Sequence, residues 1–198
     1  MKNNYTYIWI SLIVLVFGIY FVPKIVDRFK SASVVESDRL NVANRRELKE
    51  IGKAPAFSFT NQNNETITNA NYEGKVYLVE FFFSTCPTIC PVMNENMVKL
   101  QGEFGKDDRF AIASITIDPE TDTSEHLKEH AEFLKVTMKN WHFLTGSEDA
   151  IFGLAKKFNM YVGKNDDAPG GFEHSGLFAL VDKKGKIRSR NMETMDYP

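Results

Sequence analysis

Hydrophobic and polar positions along the chain predict a folded domain preceded by an apolar segment near the N-terminus. Residues 8–22 are apolar, aromatic or small except for Ser11. Together with residues 5–7 the segment is just long enough to cross a bilayer as a helix, and aromatic residues lie near both of its ends, as membrane interfaces favour. The alternative is a cleaved signal peptide, but no small-residue cleavage site follows closely. We therefore expect residues 1–22 to be an uncleaved membrane anchor.

Residues 23–50 are polar and charge-rich, which predicts a tether without a hydrophobic core of its own. The pattern of a folded domain begins near Ile51, so we expect the domain to span residues 51–198. Phe57 and Phe59 alternate with polar residues, a polar turn follows at 62–64, and residues 66–68 favour a returning strand. This pattern predicts a β-hairpin at the start of the domain.

The remaining periodicity predicts an α/β domain with a mixed sheet. Residues 75–83 form a near-continuous apolar run, typical of a central strand buried on both faces. Further strand patterns at 110–117, 141–144 and 177–181 alternate with amphipathic helix patterns, and a polar loop containing several glycines precedes the last of them. Strands that alternate with helices predict a parallel core, here closed by an antiparallel pair and flanked by helices on both faces.

Composition narrows the function classes. The chain has 198 residues, a formal net charge of −2 and two cysteines. Without a basic surface field, nucleic-acid binding is not expected. A domain of this size can also form its core without disulfide bonds.

The two cysteines, Cys86 and Cys90, are four residues apart and follow the predicted central strand. The start of the next helix is expected there, where free N–H groups lower the pKa of a thiol. Two such thiols can close one disulfide or bind one soft metal ion, with Cu(I) and Zn(II) the obvious choices. Structural zinc normally takes four protein ligands. Since the chain has only two cysteines and four histidines, a three-coordinate copper site fits the available ligands better.

Four histidines are candidates for further ligands. His174 follows the glycine-containing loop, which we expect to be mobile, and it either reaches the cysteines or bonds a backbone group at a strand start. His142 is expected on the surface side of a short strand. His126, Glu129 and His130 match the inverted zinc-protease motif H-x-x-E-H, but their helix lacks an evident third ligand, and a solvated helix face is the favoured interpretation.

Two further pairs have both a chemical and a structural interpretation. Met93 and Met97 could supply thioether ligands, but their spacing with Leu100 and Phe104 favours the buried stripe of an amphipathic helix. Asp118 and Asp122 could act as acid/base groups, but their positions favour a strand end and a helix cap, respectively.

Several segments together resemble the Sco/SenC family, copper proteins of cytochrome c oxidase assembly. The run Glu80-Phe81-Phe82-Phe83-Ser84-Thr85-Cys86-Pro87-Thr88-Ile89-Cys90-Pro91-Val92-Met93 resembles the signature of the family. Residues 116–123, 141–146, 174–175 and 180–185 resemble its other motifs. The resemblance runs in order from about Ile51 to Arg188.

The resemblance implies a thioredoxin-like fold with extra hairpins and one N-terminal membrane helix. It implies a copper ion bound by Cys86, Cys90 and His174. It also implies an extracytoplasmic domain, although the positive charges that flank the apolar segment, counted alone, favour the cytoplasm. No Arg-rich transit peptide precedes the anchor, so we expect a bacterial inner membrane.

The expected function is that of a membrane-anchored copper chaperone. It would receive copper from a donor protein and deliver it to the binuclear copper site of a cytochrome c oxidase subunit. The alternative is a thiol–disulfide oxidoreductase that uses Cys86 and Cys90 to keep the oxidase cysteines reduced. Family members usually end in a closing helix, and residues 192–198 lack a helical stripe; without that helix, one face of the sheet would be exposed.

Overall fold

The computed structural model describes residues 48–189. These residues belong to a compact unit that begins at Leu48. Between residues 48 and 189 there is no helix with the length and apolar character needed to cross a bilayer. The predicted anchor at residues 1–22 and nearly all of the predicted tether lie outside the described residues.

The described chain contains ten strands and three α-helices. The strands are β1 (Lys49–Lys53), β2 (Ser58–Asn61), β3 (Thr66–Thr68), β4 (Val76–Phe82), β5 (Phe110–Thr116), β6 (Trp141–Thr145), β7 (Val162–Lys164), β8 (Phe172–His174), β9 (Phe178–Val181) and β10 (Lys186–Ser189). The helices are α1 (Cys90–Phe104), α2 (Ser124–Phe133) and α3 (Glu148–Lys157), and a 3₁₀ turn occupies Asn69–Tyr72.

Eight of these strands form one mixed sheet in the order β1-β10-β9-β4-β5-β6-β2-β3. Strands β4, β5 and β6 pair in parallel, and the remaining pairs are antiparallel. The helical connections between β4, β5 and β6 are what allow parallel neighbours. The prediction of a mixed sheet with a parallel core is confirmed, as is the hairpin formed by β2 and β3.

The central strand β4 carries large apolar side chains on both faces, which is why helices cover both. Phe82 stacks on His130 of α2, and Leu78 lies on the same face near Leu100 of α1. Phe81 points to the opposite face and contacts Phe158 at the end of α3. The carboxyl end of β4 therefore meets α1 on one side of the sheet and the segments that follow α3 on the other.

Two features differ from the sequence-based expectation. Strand β1 pairs with β10, so Lys49 and Glu50 begin the sheet although they were assigned to the tether. The segment expected to be a mobile loop forms a separate antiparallel pair, β7 with β8, in which Val162 pairs with His174. Strands β7 and β8 are each three residues long, so their pattern was too short to predict them.

An apolar groove of about 760 Å³ crosses the α1 side of the sheet. Its lining includes side chains from β4, β9 and the end of α1. Val76 and Phe104 are 37% and 38% exposed, respectively. Among residues 48–189, no segment covers this groove.

Candidate metal centre

The cysteine loop connects the carboxyl end of β4 to the start of α1. Cys90 is the first residue of α1, and the helix begins with Pro91 in its first turn, where a missing N–H costs no hydrogen bond. Cys86 lies in the preceding loop, where its N–H donates to the carbonyl of Phe83 at 3.2 Å. Both thiols are free and buried, with 7% and 2% exposure for Cys86 and Cys90.

His174 is the last residue of β8, and two contacts orient its ring. Its ring lies edge-on to Phe83, with a centroid distance of 5.9 Å. Its Nδ1 lies 3.3 Å from the carbonyl oxygen of Ser175. Because a carbonyl only accepts hydrogen bonds, this contact places the hydrogen on Nδ1 and leaves the Nε2 lone pair free for a ligand.

Two glycines bring the His174 segment close to the cysteine loop. Gly170 has φ +84°, and a Cβ there would lie 2.7 Å from Cε2 of Phe83. A Cβ on Gly176 would lie 2.5 Å from Cδ1 of Ile89. At Gly170 the positive φ and the ring contact both require glycine. At Gly176 a Cβ would require the terminal methyl of Ile89 to move.

The three residues proposed as ligands lie together. Sγ of Cys86, Sγ of Cys90 and a ring nitrogen of His174 are all within 4.8 Å of one another. The Nε2 of His174 lies 3.2 Å from Sγ of Cys90. Metal–sulfur and metal–nitrogen bonds are about 2.0–2.3 Å long, so ligand atoms around one ion lie about 4 Å apart. The arrangement fits a single three-coordinate soft ion with little movement.

The two thiols differ in acidity. Burial alone would raise the pKa of Cys86, but hydrogen bonds from the Thr88 hydroxyl and from the N–H groups of Cys90 and Thr88 outweigh burial and lower the pKa to about 6. The Thr88 hydroxyl lies 3.5 Å from Sγ of Cys86. Since Cys90 opens α1, its N–H belongs to the helix N-terminus, which favours an anion. Cys86 is therefore largely a thiolate at neutral pH.

Burial is not outweighed at Cys90 as it is at Cys86. It raises the pKa of this thiol above its ordinary value, and negative charge on Cys86 and Glu80 adds to the rise. Glu80 is a fully buried residue of β4 that accepts a hydrogen bond from Ser114, whose hydroxyl in turn accepts from the Trp141 indole N–H. Burial raises the pKa of Glu80 to about 7, because Ser114 offsets only part of the desolvation.

The other histidines do not join the site. His142 is half-buried and lies edge-on to Tyr72 at 5.8 Å, so the expectation of a surface position is wrong. His130 is also half-buried, because its ring stacks on Phe82. His126 is 40% exposed and bonds Ser84. Within residues 48–189, no group of three ligand atoms forms around His126 and His130, and the H-x-x-E-H helix buries one of its histidines against the core.

The paired methionines and aspartates have structural roles. Met93 and Met97 are 3% and 1% exposed, which confirms that both belong to the buried face of α1, whereas Phe104 at the end of the predicted stripe is 38% exposed. Asp118 accepts the N–H of Thr121 in the turn after β5. The expected cap at Asp122 is wrong, since the Thr123 side chain caps α2 by accepting from the N–H of His126. Asp122 is instead fully buried and bonds the cysteine loop.

Sequence patterns did not identify three residues around the thiols. Glu80, Phe83 and Thr88 respectively raise the pKa of Cys90, orient His174 and lower the pKa of Cys86. A signal exists for Glu80 alone, since it is the one charged residue among the apolar positions 76–83. The roles of Phe83 and Thr88 follow from their contacts with His174 and Cys86, respectively.

The fold and this site define a class of protein. A mixed sheet with helices on both faces, and a cysteine pair where a central strand meets a helix, are features of thioredoxin-like proteins. The imidazole beside the pair adds a potential third ligand. The chain belongs to the SCO1/SenC family, whose family model matches residues 45–196.

Individual relatives support the same assignment. The chain is 33% identical over 133 residues to the SCO1 protein homolog of Bacillus subtilis, covering 66% of this chain and 69% of that protein. It spans about two thirds of the length of the curated relatives it matches.

Two solved structures share the fold. BsSco, described as a member of the Sco family of cytochrome c oxidase assembly proteins with a disulfide switch, has a TM-score of 0.62 and 31% identity, covering 72% of this chain and 86% of that one. Bradyrhizobium japonicum ScoI with copper bound has a TM-score of 0.61 and 25% identity, covering 69% and 87%.

Proposed function

We propose that this protein is a copper chaperone that binds one copper ion through Cys86, Cys90 and His174. The observation that carries the proposal is the convergence of two sulfur atoms and one imidazole nitrogen within 4.8 Å. Thiolate ligands select soft ions, and imidazole suits copper. The copper-bound Bradyrhizobium structure, which shares the fold, supports the choice of metal.

The proposed acceptor is the binuclear copper site of a cytochrome c oxidase subunit, and the copper comes from a separate donor protein. The description of BsSco as an oxidase assembly protein supports this partner. The apolar segment at residues 8–22 supports a single-pass anchor, with the copper domain on the extracytoplasmic side of a bacterial inner membrane.

Transfer proceeds by ligand exchange. His174 is the ligand displaced first, because a neutral imidazole leaves a soft ion more readily than a thiolate. An incoming thiolate then replaces the two cysteines in turn. Cys86 lines both grooves that flank the site, one beside the β7–β8 hairpin and one beside α2, so it can be reached from either side.

The test is transfer of copper from the loaded protein to a soluble oxidase copper domain, followed by the absorbance of the acceptor site. Cys86→Ser and Cys90→Ser are expected to abolish loading, and His174→Ala to weaken copper binding at least tenfold. His142→Gln is the matched control, because His142 lies against Tyr72 away from the site. Equal copper affinity of His174→Ala and the parent would reject His174 as a ligand.

A thiol–disulfide oxidoreductase is the second candidate, and the unequal acidity of the cysteines favours it. The pKa of Cys86 is lowered to about 6 while that of Cys90 is raised, as expected for an attacking thiolate and a resolving thiol. Measuring both the reduction potential of the Cys86–Cys90 disulfide and the copper affinity of the protein separates the two functions. A weak copper site together with rapid reduction of a disulfide in the oxidase subunit would favour the enzyme.

A further inference from the structure

A buried carboxylate ties the cysteine loop to the next loop of the sheet. Asp122 follows β5 in sequence and has no solvent exposure. Its Oδ2 accepts the N–H of Ser84 at 3.1 Å and the hydroxyl of Thr116 at 2.5 Å, and its Oδ1 accepts the hydroxyl of Ser84. Both carboxylate oxygens are therefore used, and two of the three donors belong to a residue two positions before Cys86.

The donors and acceptors in this cluster fix the hydrogen positions. Thr116 donates to Asp122 and accepts the N–H of Asp118 at 3.0 Å, so its one hydroxyl hydrogen is committed to the carboxylate. The Ser84 hydroxyl donates to the carboxylate, which can only accept when ionised. The Nε2 of His126 lies 3.0 Å from the same hydroxyl oxygen, so the imidazole must donate to it. A serine hydroxyl committed in this way is not poised as a nucleophile, which argues against a Ser–His hydrolase site.

We propose that Asp122 is a positioning residue that, through Ser84, holds the cysteine loop in the geometry that binds metal. The inference rests on the proposed function. Ser84 is two residues from Cys86, and the backbone between them turns through the hydrogen bond from Cys86 N–H to the Phe83 carbonyl. Without the bonds to Asp122, one other side-chain tie from Ser84 to β5 or α2 remains among the described contacts, the His126 imidazole on the Ser84 hydroxyl, and it does not hold the Ser84 backbone. Cys86 would then sample positions other than the one it holds beside Cys90 and His174.

Two substitutions at Ser84 separate the hydroxyl from the volume of the side chain. Ser84→Thr retains the hydroxyl and Ser84→Val removes it, and the two side chains are nearly equal in size. Ser84→Thr is expected to bind copper within about twofold of the parent. Ser84→Val is expected to bind copper at least tenfold more weakly. Asp122→Asn, which replaces one acceptor oxygen by a donor, is expected to lose at least as much.

Asp118→Asn is the matched control. Asp118 lies in the same loop as Asp122, but its carboxylate accepts the N–H of Thr121, and within residues 48–189 it makes no hydrogen bond to residues 84–90. Copper affinity should be unchanged in this variant. Equal affinity of Ser84→Thr and Ser84→Val would overturn the positioning role of the hydroxyl, whether or not Asp122→Asn folds.

A metal-free measurement distinguishes failure of this inference from failure of the proposed function. The full chain is equilibrated with dithiothreitol buffers, and the equilibrium constant of the Cys86–Cys90 disulfide is measured. The bonds from Ser84 to Asp122 hold the loop in its reduced form, with the two sulfur atoms not bonded to each other. Their loss lets the sulfur atoms approach bonding distance, so Ser84→Val should shift this constant at least tenfold toward the disulfide, about 30 mV more negative, and Ser84→Thr should not. If the parent protein binds no copper, the proposed chaperone function is rejected. The redox comparison would still decide whether the bonds between Asp122 and Ser84 position the loop. Unshifted constants in both Ser84→Val and Asp122→Asn, with only lower melting temperatures, would assign the cluster to stability alone.

Discussion

The buried carboxyl of Glu80 makes the stability of this protein depend on pH in a direction that can be measured. In the folded chain the pKa of Glu80 rises from 4.5 to about 7, mainly through burial. In the unfolded chain it is close to its ordinary value. The folded state therefore binds more protons than the unfolded state between these two pH values, and stability must fall as pH rises through that interval.

The size of this effect follows from the same two values. Each pH unit of pKa difference corresponds to 1.36 kcal/mol, so the rise from 4.5 to about 7 corresponds to about 3 kcal/mol. Below pH 4.5 Glu80 is neutral in both states and this cost is absent. Above pH 7 the folded protein carries the full cost of a buried carboxylate whose Oε2 lacks a hydrogen-bond partner among the described residues.

The perturbation is Glu80→Gln, which retains a carbonyl oxygen for the Ser114 hydroxyl and cannot ionise. Denaturant unfolding of the reduced, metal-free protein gives the free energy of unfolding at pH 4.5, 6, 7 and 8. Relative to the parent, the variant should gain about 3 kcal/mol between pH 4.5 and pH 8. Glu95→Gln is the matched control on the exposed face of α1, where no comparable gain is expected. Parallel pH curves for Glu80→Gln and the parent would refute a buried, neutral Glu80.

Three further predictions concern the thiols and the hairpin. In single-cysteine variants, alkylation of Cys86 should reach half its maximal rate near pH 6, and Cys90 should react only well above pH 9; similar profiles would contradict the unequal environments. Thr88→Val should raise the pKa of Cys86 by about 1 pH unit in the same assay, since a hydrogen bond to a charged group contributes about 1.5 kcal/mol, whereas Thr88→Ser should not. Gly170→Ala should lower the free energy of unfolding by about 2–3 kcal/mol, because strain at φ +84° adds to a contact with the Phe83 ring. The control is Gly171→Ala, which is strained at a positive φ but makes no such contact and should cost about 1 kcal/mol. Equal losses in the two variants would show that the contact with Phe83 has no effect on stability.

The central strands and helices were predictable because each carries a long periodic signal. The run at 75–83 and the stripe of α1 extend over at least two turns or several alternations, and both elements lie where expected. The three-residue strands β7 and β8 have no such signal. Their pairing depends on the tight turn at Gly170 and Gly171 and on contacts with Phe83, which sequence periodicity does not report.

The candidate metal centre also combines local features, which were predictable from sequence, with contacts between distant segments, which were not. The cysteine spacing and the helix start predicted the thiol pair and a lowered pKa for at least one of the two, because both signals are local. They did not show that Cys86 would be the thiol with the lowered pKa and that burial would raise the pKa of Cys90. His174 contacts Cys90 although the two residues are 84 positions apart in sequence. The residues alone therefore left two interpretations of His174, a ligand beside the cysteines or a residue that bonds a backbone group. Asp122 was assigned to the wrong partner, since a carboxylate before a helix fits a cap as well as it fits a bond to another loop.

X-ray absorption at the copper edge of the loaded protein, with His174→Ala beside it, tests the central proposal most directly. One copper per chain with two sulfur neighbours and one nitrogen neighbour is expected, and His174→Ala should lose the nitrogen while it retains both sulfurs. A parent spectrum without sulfur neighbours, or an identical spectrum for His174→Ala, would contradict copper binding by Cys86, Cys90 and His174.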